Sequence, residues 1–385
     1  MSYRKLGDLV KFISTKNTNG NASVLFGINI DKFFMPSVAN IIGVDLTKYK
    51  VVKKYQFACN RMHVGRDERL PISMSNFDYD FIVSPAYDVF EVTSSEVLPE
   101  YLMLWFRRTE FDRQCWFYTD ADVRGGLHLD ALKAIEIKVP SIEEQQLIVA
   151  QYQSIENKIK VNDQICSTFE ATAQALYKHW FVDFEFPNEN GEPYKSSGSS
   201  MVYNEDFDKA IPEFWRIGLL SDLIDIKYGK DYKHLSEGNI PLYGSGGIMK
   251  YVSDVLYNKP SVLIPRKGTL NNIMYIKTPF WSVDTMFYSV PKKNDVLNYV
   301  FYILSKLDFN LLNVGSAVPS MTTEYLNGIE IVIPSSKLLE QFEGVLNEVE
   351  DYKIILNQQN QKLRQLQNCL LSMLATIEKN KLEYA

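Results

Sequence analysis

Few side chains in this sequence have the type and spacing that catalysis requires. The four histidines (His63, His128, His179 and His234) are far apart, lack the spacing of metal ligands, and are interpreted as structural residues. The glycine-rich run at 244–247 lacks the lysine and the following helix of a phosphate-binding loop. Also missing are the Asn-Pro-Pro-aromatic quartet with which amino-methyltransferases hold a flipped base and the Pro-Asp…Glu-x-Lys arrangement of nucleases. These absences predict a binding protein without a catalytic residue, a metal or a cofactor of its own.

Loops at equivalent places in the two halves of the chain carry side chains suited to reading DNA. Arginine pairs with guanine and asparagine with adenine, while Lys, Ser and Tyr contact phosphates. The predicted DNA-binding residues of the first half are Asn60, Arg61, His63, Arg66, Ser84, Tyr87 and Arg124. Those of the second half are Tyr243, Ser245, Arg266, Lys267, Asn271, Asn272, Asp284, Ser316 and Ser320. The two halves differ most in these loops, as two different DNA half-sites would require.

These residues are equally typical of ordinary solvent-exposed turns, and the sequence leaves both interpretations open. Four aromatic residues have the same ambiguity, because they either stack on bases or belong to the core: Tyr3, Tyr55, Trp105 and Trp116.

Composition predicts a folded cytoplasmic protein and does not decide whether it binds DNA. Hydrophobic residues make up 46% of the chain, yet no apolar run is long enough to span a membrane and no signal sequence follows the first residue. The net charge of -6 arises mainly in residues 141–200, which contain 4 Lys+Arg against 9 Asp+Glu. Both flanking segments are close to neutral. The four cysteines lie far apart without a CxxC pair, which predicts reduced thiols and no zinc site.

Two long stretches repeat an apolar residue at every seventh position, as helices do when they pack in a coiled coil. The first runs from about 142 to 186 and the second from 338 to 377. The predicted seam of the first is Ile148, Ile155, Asn162, Phe169 and Leu176, with Tyr152, Ile159, Cys166, Ala173 and Trp180 four residues later. The predicted seam of the second is Phe342, Val349, Leu356, Leu363, Leu370 and Ile377, with Val345, Tyr352, Gln359, Leu366 and Met373 three residues later. Neither helix can bury its stripe alone, so we expect the two to pack on each other, with Asn162 and Gln359 fixing the register.

The chain repeats one plan, a globular segment followed by a long helix. Leu6-Gly7-Asp8-Leu9-Val10 returns as Leu220-Ser221-Asp222-Leu223-Ile224, and residues 132–140 return as residues 326–334, each ending in proline. This collinear order predicts an α/β (α+β) protein with an internal repeat: two similar globular domains, at opposite ends of a rod or side by side, and two long helices packed as a coiled coil. The predicted segments are a first globular domain at 1–140, a helix at 141–186, a linker or exposed hairpin at 187–200, a second globular domain at 201–334 and a C-terminal helix at 335–385.

Several stretches resemble the specificity subunit of Type I restriction-modification systems. The most specific is Trp180-Phe181-Val182-Asp183-Phe184-Glu185-Phe186-Pro187, which continues to Ile211-Pro212-Glu213-Phe214-Trp215 and is similar to the central conserved region of that family. The run Pro140-Ser141-Ile142-Glu143-Glu144-Gln145-Gln146 is similar to the family pattern before the first helix. The corresponding run before the second helix departs from it, with extra residues ahead of Glu340-Gln341.

This resemblance implies that segments 1–140 and 201–334 are target recognition domains, each reading half of a bipartite double-stranded DNA site. It implies that the two long helices form an antiparallel coiled coil that holds the domains apart with pseudo-twofold symmetry. It also implies two modification (methyltransferase) subunits, which methylate adenine N6 with S-adenosylmethionine, and restriction subunits, which cleave DNA with ATP and Mg. The residues alone leave an alternative open, a non-catalytic adaptor that joins two protein-binding modules on a coiled-coil rod. The missing motifs disfavour a free-standing nuclease or methyltransferase.

Overall fold

The computed structural model describes residues 2–39, 43–62, 64–119, 125–205, 208–312 and 321–376. Within these ranges the chain is a mixture of helices and mostly antiparallel strands, as predicted, and it divides into two compact units. Unit 1 comprises Met1–Asn162 and Gln358–Ala385, and unit 2 comprises Asp163–Asn357. No helix in the described ranges is long and apolar enough to cross a membrane.

Unit 1 is built around a four-stranded antiparallel sheet of order β2-β9-β6-β7. Its elements are β1 Ser2–Lys5, α1 Leu6–Leu9, β2 Val10–Ile13, β3 Phe26–Ile28, β4 Phe34–Pro36, β5 Lys50–Val52, β6 Phe57–Cys59, α2 Val64–Asp67, β7 Ile72–Met74, β8 Phe81–Val83, β9 Asp88–Val92, α3 Pro99–Phe106, α4 Thr109–Phe117, α5 Leu129–Ala134, β10 Glu136–Val139 and the first part of α6 Ile142–Tyr177. Phe57 and Phe90 stack in the core with ring centroids 5.0 Å apart, and Phe106 of α3 meets both rings edge-on. This aromatic core holds helix α3 against the sheet.

Unit 2 repeats that plan with the sheet β14-β20-β17-β18 and adds the three-stranded sheet β16-β15-β19. Its elements are β11 Met201–Asn204, β12 Lys209–Pro212, β13 Arg216–Leu219, β14 Ile224–Tyr228, β15 Glu237–Gly244, β16 Gly247–Val252, β17 Ser261–Pro265, β18 Met274–Ile276, β19 Trp281–Ser282, β20 Met286–Pro291, α7 Leu297–Lys306, α8 Thr323–Asn327, β21 Glu330–Ile333 and the first part of α9 Ser336–Thr376. The two units therefore share a framework and differ in what is inserted between its strands.

Equivalent tyrosines make the same hydrogen bond in the two units. The Tyr101 hydroxyl on α3 donates to the carbonyl of Lys138 on β10 at 3.0 Å. The Tyr299 hydroxyl on α7 donates to the carbonyl of Val332 on β21. Burial raises the pKa of both hydroxyls, so they remain protonated donors. The two repeated units thus share this side-chain hydrogen bond as well as their order of helices and strands.

Segments of α6 and α9 pack antiparallel within each unit. In unit 1, Tyr152 shares a buried cluster with Leu371 and Leu374. In unit 2, the ring of Phe169 lies 5.9 Å from that of Tyr352, and Tyr177 lies 6.4 Å from Phe342. Residue numbers rise along one helix as they fall along the other, which confirms the predicted pairing of the two heptad helices.

The seam of α9 differs from the prediction in one respect. The companion positions lie four residues after each member of the main repeat, as on α6, and include Leu346, Lys353, Asn360 and Leu374. The positions predicted three residues after are exposed: Val345 47%, Tyr352 54%, Leu366 47% and Met373 49%. Apolar residues occupy both stripes, and the polar partners on α6 decide which one is buried.

Those partners form two polar contacts in the seam. In unit 1 the buried Asn162 donates from Nδ2 to Asn360 and to Gln359, both at 2.8 Å. Asn162 thus lies in the seam as predicted, but its buried partner is Asn360, while Gln359 reaches in from an exposed position. In unit 2 the ammonium of Lys353 lies 2.9 Å from Glu170. Both contacts favour one alignment of the helices. A shift along the seam would leave the buried amides of Asn162 and Asn360 without each other and would separate Lys353 from Glu170.

The end of α6 leads into an aromatic cluster of unit 2. A short π-helix at Lys178–Val182 directs Phe181 edge-on against Phe342, with centroids 4.8 Å apart. Phe186 stacks on Trp215 at 5.1 Å and on Tyr194 at 4.5 Å. The segment after Phe186 is a series of hydrogen-bonded turns, such as the Asn188 N–H donating to the carbonyl of Glu192 at 2.8 Å. The stretch that carried the family resemblance therefore packs against the first turns of α9 within unit 2.

Three buried charged residues fix connections within the units. In unit 1, Lys32 in the β3–β4 turn lies 2.7 Å from Asp112 on α4, and the two side chains are only 5% and 10% exposed. Burial lowers the pKa of Lys32 and raises that of Asp112, and each shift is opposed by the partner's charge. In unit 2, Glu343 on α9 accepts hydrogen bonds from Asn298 N and Nδ2 at 2.6 and 2.7 Å. Burial raises the pKa of Glu343 despite these bonds.

Candidate nucleic-acid interface

A concave surface with a volume of about 650 Å³ lies at the tip of the β15–β16 hairpin in unit 2. The hairpin turn, the β19–β20 turn and the segment after β14 contribute its walls. The lining residues are Asp231, Tyr232, Lys233, Gly244, Ser245, Gly246, Gly247, Ile248, Met249, Val283, Asp284 and Thr285. We call this surface the unit 2 cavity.

Hydrogen bonds bring three separate loops together at the cavity. Asn272 donates from Nδ2 to the carbonyl of Ser245 at 2.8 Å, which ties the loop after β17 to the hairpin turn. The Arg266 N–H donates to the carbonyl of Thr285 at 2.9 Å, and the Val283 N–H donates to the carbonyl of Tyr243 at 3.0 Å. The predicted residues Tyr243, Ser245, Arg266, Asn272 and Asp284 are therefore neighbours, although the chain separates them by up to 41 positions.

The hairpin contains a β-bulge beside the cavity. Leu242 pairs with Lys250 and Tyr243 pairs with Ile248, so Met249 is the extra residue on β16. Ile248 and Met249 both line the cavity, whereas consecutive residues of a regular strand point to opposite faces. The bulge thus places two adjacent apolar side chains on one surface, where they remain 50% and 55% exposed.

Several cations lie in or next to the unit 2 cavity. The basic rim, as we call it, consists of Lys233, which lines the cavity, and of four cations that are adjacent in sequence or hydrogen-bonded through the backbone to lining residues: Lys230, Lys250, Arg266 and Lys267. None of the five forms a salt bridge to a carboxylate anywhere in the part of the chain that the structure describes. Two of them lie over aromatic rings: Lys250 is 5.0 Å from the centroid of Tyr232, and Arg266 is 5.5 Å from that of Tyr228.

The residues that line the cavity include one cation, Lys233, and two acidic groups, Asp231 and Asp284, and the other four rim cations lie next to them. Both carboxylates belong to exposed residues and are suited to accept hydrogen bonds from base amino groups. A concave surface with acceptors inside and cations beside it suits a polyanion that carries hydrogen-bond donors on an edge. Duplex DNA has that chemistry.

Asn271 lies outside this cluster. Its Nδ2 donates to Asp308 at 2.9 Å, and its Oδ1 accepts from the Phe309 N–H at 2.9 Å. Both ends of the amide are thus engaged within unit 2, so the structure gives Asn271 a role in holding its loop.

The predicted residue Tyr243 is half-buried against Phe280, and burial raises the pKa of its hydroxyl.

In unit 1 the predicted loops also meet, but two of their cations, Arg61 and Arg66, are paired with carboxylates. Arg61 donates from Nε to Asp88 at 2.5 Å and from a terminal nitrogen to the carbonyl of Leu127. Asn60 accepts the Met62 N–H at 3.1 Å, a local turn contact. Gly65 donates to the carbonyl of Gly125 at 2.7 Å, and a Cβ at position 65 would lie 2.7 Å from the Cα of Gly125, so a side chain would clash there.

The remaining predicted residues of unit 1 are placed as follows. Arg66 contacts the adjacent Asp67 at 2.7 Å, and its side chain is 64% exposed. Ser84 accepts the Ala86 N–H within a turn, and the carbonyl of Tyr87 accepts from Lys50 at 2.5 Å. His63, Arg124, Ser316 and Ser320 lie outside the described residues.

Among the ambiguous aromatic residues, Trp105 belongs to the core at 4% exposure. Tyr3, Tyr55 and Trp116 are exposed. Sequence reasoning missed Lys230, Lys233 and Lys250 of the basic rim and the apolar pair on the bulge. A signal for the pair and for Lys250 was the glycine pair at 246–247, which marks the hairpin turn just before them.

Comparison with known proteins places this arrangement in context. The profile of the family described as Type I restriction modification DNA specificity domain matches residues 1–170 and 212–368. The chain is 29% identical over 315 residues to the Type I restriction enzyme MjaIX specificity subunit of Methanocaldococcus jannaschii, covering 72% of this chain and 68% of that protein. It is 30% identical over 190 residues to the HindI specificity subunit of Haemophilus influenzae, covering 47% and 40%. The crystal structure of a Type I restriction-modification S subunit from M. genitalium shares the fold, with a TM-score of 0.60, 14% identity and coverage of 97% and 95%.

Proposed function

Because the chain belongs to the family of Type I restriction modification DNA specificity proteins, we propose that it selects a bipartite, asymmetric DNA site for a restriction-modification complex. Specificity subunits are non-catalytic, and the catalytic activities of such complexes belong to partner subunits. Unit 1 reads one half-site and unit 2 the other, across a stretch of unread base pairs. The unit 2 cavity carries this proposal, because it lies at the tip of the β15–β16 hairpin beside cations that have no carboxylate partner in the described residues.

The difference between the units supports two distinct half-sites. Each unit presents its loops from its own four-stranded sheet, and the two sheets are equivalent. In the described part of unit 2 the cations of the basic rim have no carboxylate partner, whereas in unit 1 Arg61 is held by Asp88 and Arg66 contacts Asp67. Equal frameworks with different loop chemistry would read different bases at equal distances from the framework.

The proposed partners are double-stranded DNA, two modification subunits and, through them, restriction subunits. The complex works in the cytoplasm, where the DNA it protects or cleaves is found. S-adenosylmethionine, ATP and Mg belong to the partner subunits, and this chain supplies the choice of site. The paired α6 and α9 segments, which extend through both units, offer the surface on which the modification subunits dock.

The proposal is tested by expressing the chain with its modification subunit in a host without other adenine methylation. Genome-wide mapping of N6-methyladenine should return one motif of two specified half-sites separated by a fixed number of unspecified bases. The modification subunit alone is the control and should methylate no defined motif. A variant with Lys233→Gln and Lys267→Gln should weaken methylation at that same motif. An uninterrupted motif, or methylation that is independent of this chain, would refute the bipartite function.

A further inference from the structure

The β15–β16 hairpin exposes apolar side chains in the midst of the basic rim. Ile248 and Met249 stand half-exposed on the unit 2 cavity, and Lys250 follows them directly. Exposed apolar groups surrounded by charge mark an interaction surface more often than an accident of packing. The surrounding cations favour an occupant with negative charge on its outside and an apolar group at its centre.

The backbone makes room for one of these side chains. A Cβ built on Gly244 would lie 2.6 Å from Sδ and 3.2 Å from Cγ of Met249. The side chain of Met249 on β16 therefore lies over Gly244 of the paired strand β15, where there is no side chain to block it. Glycine at 244 and the extra residue at 249 together direct the thioether along the cavity wall, beside Ile248.

Major-groove chemistry offers one partner for such a pair. A two-stranded β-ribbon fits the major groove of B-DNA, and thymine presents its C5 methyl group there, an apolar group among donors and acceptors. Strand β16, which carries Ile248, Met249 and Lys250, is the outer strand of its three-stranded sheet, so its exposed side chains and the nearby Lys233 are available to a groove and its phosphates. Building on the proposed function, we propose that Ile248 and Met249 bind the C5 methyl group of thymine in the half-site read by unit 2.

The expected effect follows from the size of a methyl group. Removing one buried methyl group from an apolar contact lowers affinity by about four-fold. The phosphate contacts of the basic rim do not change with this substitution, because the charge of the DNA stays the same. The contribution of the methyl group is thus separable from the electrostatic one.

The experiment uses the chain assembled with its modification subunits and duplexes that contain the mapped site. Each thymine of the unit 2 half-site is replaced in turn by deoxyuridine, which lacks only the C5 methyl group. At one or two positions the dissociation constant should rise by about four-fold each. The same replacements in the unit 1 half-site serve as the comparison for unspecific effects of deoxyuridine.

Protein variants assign the effect to the bulge. With Ile248→Ser and Met249→Ser, thymine and deoxyuridine duplexes should bind equally, whereas Val255→Ser should retain the discrimination. Val255 is a matched control, since it is 44% exposed in unit 2 and does not line the cavity. Because all three side chains are about half-exposed, the variants should unfold at the wild-type temperature.

Several outcomes would overturn the proposal. A unit 2 half-site without thymine, equal binding of every deoxyuridine duplex by the wild type, or discrimination that survives in the double variant would each do so. Double-variant protein that binds DNA normally but no longer assembles with the modification subunit would mark the pair as a protein contact instead. Absence of any sequence-specific binding would refute the proposed function as well, and is recognised because scrambled duplexes then bind as tightly as the mapped site.

Discussion

If the basic rim contacts phosphates, removing its charges should lower the salt dependence of DNA binding. Lys233, Lys250 and Lys267 are suited to the test, since each is exposed and has no carboxylate partner within the described residues. Replacing each with glutamine removes a charge and keeps a polar side chain of similar reach. No fold contact to a carboxylate is lost with it.

The magnitude follows from counterion release. Each phosphate contact contributes about -0.9 to the slope of log affinity against log salt concentration. Between 0.05 and 0.20 M salt, one contact therefore changes affinity by about 3.5-fold, and three contacts by roughly 40-fold. The triple variant should show a slope smaller by about 2.7 than the wild type.

Fluorescence anisotropy of a labelled duplex across that salt range measures the slope for the assembled complex. The matched control carries Lys195→Gln, Lys293→Gln and Lys306→Gln, three exposed lysines of unit 2 that are not part of the basic rim. Its slope should equal that of the wild type. Identical slopes for the rim variant and the wild type, or an equal loss in both triple variants, would refute the assignment of the cavity as the DNA-binding surface.

Three further predictions concern the fold and the helices. Glu343→Gln should remove a pH dependence: burial raises the folded-state pKa, so wild-type stability falls as the pH rises from the unfolded pKa toward the folded one, whereas urea unfolding of the variant should lack this loss. Asp112→Ala should destabilise unit 1 by about 3–5 kcal/mol, because it leaves the Lys32 ammonium buried alone. The double variant Lys32→Met with Asp112→Leu should recover most of that loss in urea unfolding, and additive losses would contradict the pairing. Deleting seven residues at facing positions of α6 and α9 preserves the seam and shortens each helix by about 10 Å, so methylation mapping should show a spacer changed by about three base pairs and unchanged half-sites. A changed half-site would count against helices that act only as a spacer.

Periodicity predicted the helices well and the seam incompletely. The seven-residue step identified α6 and α9 and their pairing, and on α6 it located both sets of buried positions. On α9 two apolar stripes compete, and the pattern favoured the one containing Val345 and Tyr352. The buried stripe instead contains Lys353 and Asn360, whose partners Glu170 and Asn162 lie nearly 200 residues away. Hydropathy along one helix carries no information about such partners.

The candidate site was predictable as a set of loops and not as a set of contacts. Repeat alignment located the loops of Ser245, Arg266 and Asp284, which the fold brings together. Residue type could not separate Arg266, which is unpaired, from Arg61, which Asp88 holds in place. Lys230, Lys233 and Lys250 were missed because they are distant in the sequence from Arg266 and Lys267 and join them only when the hairpin lies beside the β19–β20 turn.

The bulge at Met249 changes how new specificities can arise. Loss of that one codon would restore regular alternation along β16, and every side chain toward the hairpin turn would then exchange faces. A different set of groups would meet the cavity without any base substitution in the gene. Insertions and deletions of single codons in this hairpin are therefore an evolutionary route by which descendants of the protein acquire new target sequences.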